Sequence, residues 1–114
     1  MEIQDFTITR GDTWERTMHF YDEDGCIDIS GWTVFFTCKE KVTDVDASAK
    51  ISKTITVHSD PTRGESIILL TSTDTNLTPG SYIYDIQIKS ESGSVLTIVT
   101  GNITIQYDVT QRTS

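Results

Sequence analysis

The residues that could do the most chemistry lie in one short stretch. Asp22, Glu23, Asp24 and Asp28 surround Gly25, and convergent carboxylates are what a hard cation such as Ca²⁺ requires. An EF-hand loop opening at Asp22 would need Glu at its twelfth position, where this chain has Thr33, and the flanks alternate as strands rather than helices. The cluster therefore reads first as a solvated acidic turn, with Asp22, Asp24 and Asp28 as the metal candidates. His19 and His58 are far apart, have no Cys or His at ligand spacing, and read as surface histidines on the polar faces of strands. Arg10-Gly11-Asp12 matches an adhesion tripeptide, yet Gly between two charges is simply a tight turn. The abundant hydroxyls carry no Gly-x-Ser-x-Gly or Ser-x-x-Lys signature of an activated nucleophile. Paired carboxylates for glycoside hydrolysis depend on separation in space, and a chain this short has little room for a cleft. Phe35, Tyr84 and Tyr107 could form an aromatic carbohydrate platform, although aromatics at strand spacing more often belong to a core. The expectation is a protein that is not an enzyme and needs no cofactor.

Short alternating runs separated by turn residues must position all of these groups. The first runs from Ile3 to Thr9, with Phe6 out of step as if at a bulge. Thr13 to Tyr21 sets Trp14, Met18 and Phe20 against Glu15, Thr17 and His19. Asp22 to Gly25 and Asp28 to Gly31 are turns. Trp32 to Lys39 is apolar on both faces, as a central strand covered on both sides would be. Ile51 to His58 and Ser66 to Thr71 read as a hairpin closed by Ser59 to Gly64. Tyr82, Tyr84, Ile86 and Ile88 share one face of the next strand, and Ser90 to Gly93 turns it. The last run places Val95, Val99, Ile103, Ile105, Tyr107 and Val109 at odd positions, with a bulge or bend at Gly101 that lets one strand serve two partners. The polar stretch 40–50 is an expected flexible loop, and a short polar tail ends the chain. About seven strands in one domain spanning residues 1–114 make an all-β antiparallel sandwich.

Composition agrees. Nineteen Thr and eleven Ser stand against two Ala, which favours pleated strands over helices. At 114 residues, folding hides roughly two thirds of the extended chain's surface, enough for one core. The net charge of −8 opposes binding to a phosphate backbone or an anionic membrane. No run of apolar residues approaches a membrane span, and the opening residues lack the basic and apolar regions of a secretory signal. Cys38 lies in the alternation of Val34 and Phe36 as a small buried hydrophobe, while Cys26 follows Gly25 in a turn; neither suggests a disulfide framework.

Three stretches in order, Ile8 to Trp14, Asp22 to Trp32, and Ser72 to Ile88 closing on Gly101 to Thr110, resemble small immunoglobulin-like β-sandwich virion proteins of bacteriophages and prophages. The N-terminal domain of siphophage baseplate upper proteins is similar. This chain has Ile29-Ser30 where Leu-Thr is expected before Gly-Trp, and shows no fibre-like extension or receptor-binding domain. The resemblance implies a corner at Pro79, Gly80 and Tyr82 whose tyrosine hydroxyl bonds back to main chain, a Gly31 that permits a special backbone or close approach, and Trp32 as anchor between the sheets. It further implies a multicopy structural protein of the tail, baseplate or neck, made in the host bacterial cytoplasm and carried in the virion. Its partners would be other virion proteins or its own copies in a ring. A capsid decoration protein, or a carbohydrate- or calcium-binding adsorption module, is the alternative.

Overall fold

Period-two alternation of apolar and hydroxyl residues builds most of the chain into strands. The structure, a computed structural model, describes residues 2–41 and 49–107; most of the expected loop at 40–50 and the polar tail lie outside them. The strands are β1 (Glu2–Ile3), β2 (Phe6–Thr9), β3 (Trp14–His19), β4 (Tyr21–Asp22), β5 (Gly25–Cys26), β6 (Thr33–Lys39), β7 (Ile51–Ile55), β8 (Glu65–Leu70), β9 (Gly80–Lys89) and β10 (Val95–Gln106). Among the described residues there is no α-helix, only a 3-10 turn at Pro61–Arg63. The all-β expectation holds.

One sheet runs β7, β6, β9, β10, with β1 and β2 in tandem along the far edge of β10. The pair β3–β8 forms the second layer, and β4–β5 is a small hairpin. Side chains from both layers meet in one cluster that includes Ile8, Met18, Phe36, Ile68, Tyr84 and Ile103. The arrangement is sandwich-like, with corrections to the expected outline. The large sheet is mixed, since β1 and β2 run parallel to β10. Among the described residues ten strands replace about seven because the first run breaks in two and the acidic turn carries its own hairpin.

The break at Gln4 and Asp5 is where Phe6 fell out of step. There the Gln4 N–H donates to the Thr100 carbonyl (2.9 Å), the Gln4 carbonyl accepts from the Tyr84 hydroxyl (2.7 Å), and Asp5 Oδ1 accepts the Asn102 N–H (2.9 Å). Gly101 permits this approach, for a Cβ there would overlap the Gln4 carbonyl. Its role is close contact, and the bulge expected at Gly101 lies instead between Thr97 and Val99.

The hairpin expected from Ile51 to Thr71 does not form. The chain reverses at a single bridge between Asp60 and Glu65, but β7 pairs with β6 and β8 with β3, in opposite layers. Turn residues set the reversal, whereas the partners of each strand are set by distant edges. Trp32 also departs from its expected role. It precedes β6, is half-buried, and meets Phe20 edge-on at 6.3 Å; the stack of Phe36 on Tyr84, 5.5 Å apart, occupies the centre. The outer face of β6, including Phe35, is only half-buried, so one layer covers this strand, not two.

Both cysteines are free, Cys26 exposed and Cys38 buried. Burial pushes the Cys38 thiol up to about 12, and only a thiolate attacks disulfides. A thiol-exchange reagent at pH 8 should therefore titrate one thiol per native chain and two in denaturant. A second fast thiol in native buffer would contradict the assignment of Cys38 to the core.

Candidate docking groove

Two strands cannot cover a sheet four strands wide with a fifth, divided edge position. On the β7 side the gap is closed by a charged tie. Lys53 Nζ on β7 lies 2.7 Å from Asp74 Oδ2, in the loop after β8. Asp74 also accepts the Thr71 N–H (2.8 Å) and hydroxyl (3.0 Å). Partial burial alone would raise the Asp74 carboxyl, but the Lys53 and Thr71 donors outweigh it and hold it below the usual carboxylate range. A folded-state value below the unfolded one means the tie stabilises fully at neutral pH and fades as pH falls through the folded-state value. Asp74→Asn should cost about 1 kcal/mol at pH 7. In a urea titration series, the gap from wild type should begin to close below about pH 4. A gap that stays constant down to acid unfolding would count against the tie.

The β10 side stays open. Between β3 and the first half of β10 runs a groove of about 660 Å³. Its floor includes Met18, Ile86, Ile88, Leu96 and Ile98, and Tyr21, Ile27 and Trp32 close one end. The bulge at Ile98 produces this floor. Leu96 lies opposite Ile88 and Val99 opposite Ile86, so inward parity changes from even to odd across the extra residue. That inversion is the signal that sequence reading missed; four residues, Leu96-Thr97-Ile98-Val99, with adjacent apolar side chains break strict alternation. Leu96 is 61% exposed and Tyr21 73%, so apolar side chains lie beside an open strand edge.

The acidic turn lies next to the closed end of this groove. Asp22, Glu23, Asp24 and Asp28 are all exposed, but the metal candidates do not converge. Asp22 Oδ1 accepts the Asp24 N–H (2.8 Å), and Asp28 Oδ1 accepts the Ser30 N–H (2.9 Å) and hydroxyl (2.6 Å). The Ser30 hydroxyl, then its amide, hold the Asp28 carboxyl below its ordinary value. No trio of His, Cys, Asp or Glu able to hold a metal ion occurs among the described residues.

The other candidates serve the frame. Arg10 Nε donates to Asn76 Oδ1 (3.0 Å), the Gly11 N–H to the Thr75 carbonyl (3.3 Å), and the Thr75 hydroxyl to the Asp12 carbonyl (2.6 Å). The tripeptide is thus a corner clasped by the loop after β8. The Tyr82 hydroxyl donates to the Thr78 carbonyl at 2.5 Å, across half-buried Pro79 and exposed Gly80. Gly31 holds φ +80° with the Glu91 side chain against it. His19 is exposed as expected, but His58 lies beyond β7, half-buried, with its ring nitrogens 2.9 Å from Ser66 Oγ and 2.8 Å from the Trp32 carbonyl. It is a structural brace. The aromatic platform is dispersed: Tyr84 is in the core, Phe35 is on the opposite face, and Tyr107 is exposed near the far end of β10. Among the described residues no helix is long and apolar enough to cross a membrane. No protein-family model matches this chain, and no curated protein matches it.

Proposed function

We propose that the chain is a non-enzymatic bacteriophage structural protein, an immunoglobulin-like module present in several copies that docks on its neighbours in the tail, baseplate or neck. The observation that carries this reading is the open apolar groove beside exposed strand edges, a surface suited to protein contact. The motifs that resemble virion sandwiches support it: the Arg10-Gly11-Asp12 corner and the Tyr82 corner both lock loops to the frame. The charge of −8 favours solubility before assembly.

Mass spectrometry of purified particles should find the chain at a fixed stoichiometry, and labelled particles in electron microscopy should place it. Its absence from particles, with all of it in the host cytoplasm, would overturn the reading. Calorimetry with Ca²⁺ and a glycan array should give no saturable binding; saturation in either favours an adsorption module.

A further inference from the structure

We propose that the groove between β3 and β10 receives an extended apolar segment ending in lysine or arginine, contributed by a different protein. This rests on the docking reading and names the partner's chemistry.

Three features of the groove select that occupant. The first is the strand edge. Within the described residues β3 pairs only with β8, and β10 meets β1 only from Val99 onward, so both lips offer free backbone to an added strand. The second is size. Arg16 to His19 on the β3 lip spans about 10 Å at ~3.4 Å per residue. That length admits a strand of four or five residues with two apolar side chains, two positions apart, directed at Leu96 and Ile98, which this chain covers only in part.

Charge is the third. Asp22, Glu23, Asp24 and Asp28 follow Tyr21 and Ile27 at the closed end, and Glu91 lies against Gly31 beside Trp32. The one arginine or lysine that lines the groove among the described residues, Arg16, sits on the β3 lip with its guanidinium over the Phe6 ring at 5.0 Å. A second copy of this chain would bring another charge of −8 and its own acidic turn to the contact, and like charges in an interface are penalised. A basic end on the incoming strand answers the acidic rim.

The test uses the full chain and three acetylated octapeptides followed by amide NMR: Thr-Val-Thr-Ile-Thr-Lys-Gly-Lys, the same peptide with both Lys as Glu, and the same peptide with Val and Ile as Ser. The lysine peptide should shift the amides of Thr17, Met18, Leu96 and Ile98 and bind about tenfold tighter than the glutamate peptide at low salt, with the preference shrinking as salt rises. The serine peptide should not bind. The double variant Asp22→Lys/Asp24→Lys should reverse the charge preference, and Leu96→Asp, at an exposed position, should weaken both apolar peptides while leaving the melting curve in place. Equal affinity for the two charged peptides, shifts centred elsewhere, or no binding at all would overturn the proposal. So would concentration-dependent shifts of the same amides without peptide, which would assign the groove to a second copy. Failure here with the chain present in particles removes the groove assignment alone; peptide binding with the chain absent from particles removes the virion reading alone.

Discussion

Gly64→Ala should destabilise the protein by more than about 3 kcal/mol, or abolish folding. Gly64 ends the 3-10 turn at φ +70°, ψ 29°, a left-handed conformation that costs a side-chain-bearing residue about 1–2 kcal/mol. Steric overlap costs more. A Cβ at this position would overlap the Phe20 carbonyl oxygen and stand 2.6 Å from that of Ile27. Neither can retreat, because the Phe20 N–H donates to the Gly64 carbonyl (2.8 Å) and the Ile27 N–H to the Phe20 carbonyl (2.9 Å). Three backbone segments cross where only a hydrogen fits. Gly64→Asn separates the causes, since Asn tolerates positive φ but keeps the Cβ. It should be nearly as damaging as Ala in urea unfolding followed by tryptophan fluorescence. Gly101→Ala should be similarly damaging, by more than about 3 kcal/mol, because the obstacle there is the Gln4 carbonyl, which the Tyr84 hydroxyl (2.7 Å) and the Gln4 N–H bond to the Thr100 carbonyl (2.9 Å) hold in place. An Ala variant at Gly64 within 1 kcal/mol of wild type would refute the crossing.

Which residues face inward was legible in the sequence; which strands are neighbours was not. Tyr82, Tyr84, Ile86 and Ile88 are all buried on one face of β9, as their spacing required, and so are Val34, Phe36 and Cys38 on β6. Alternation reports a face because side chains point to opposite sides of a strand in turn. It does not report a partner, and threonine-rich strands fit either layer equally well. Ser59 to Gly64 therefore predicted a hairpin where the chain in fact changes sheets. The groove between β3 and β10 was hidden by a related ambiguity. The odd positions of the last strand implied one face from Val95 onward with its interruption at Gly101, but the bulge at Ile98 turns Leu96 inward and leaves Val95 58% exposed. Only the acidic rim could be read directly, since Asp and Gly at those spacings form turns in any fold. His58 was misread because its two bonds reach residues 8 and 26 positions away, and no local pattern encodes such contacts.

Phe36→Ala should cost about 3–5 kcal/mol, and the cost should depend on a hydroxyl that Phe36 does not touch. Phe36 is fully buried and stacks on Tyr84 at 5.5 Å and 21°. Truncation opens a cavity, and the penalty grows with whatever part of it neighbours fail to fill. Tyr84 is the nearest large ring, but its hydroxyl is fixed on the Gln4 carbonyl at 2.7 Å, so it cannot lean into the space without giving up that bond. Tyr84→Phe alone should cost about 1–2 kcal/mol by leaving the carbonyl without its donor. Combined with Phe36→Ala it should cost less than the sum by about 1 kcal/mol, because the freed ring can move. Additivity within about 0.3 kcal/mol in urea unfolding would show that the two act independently. The same geometry explains how a second layer of two strands can leave one side open. Phe6, Trp14, Phe36 and Tyr84 form a chain of ring contacts 5.1 to 6.4 Å apart, tying β2, β3, β6 and β9 together in one half of the molecule. With the layers held there by aromatics, the second layer can stop short in the other half, where Leu96 and Ile98 are covered only in part.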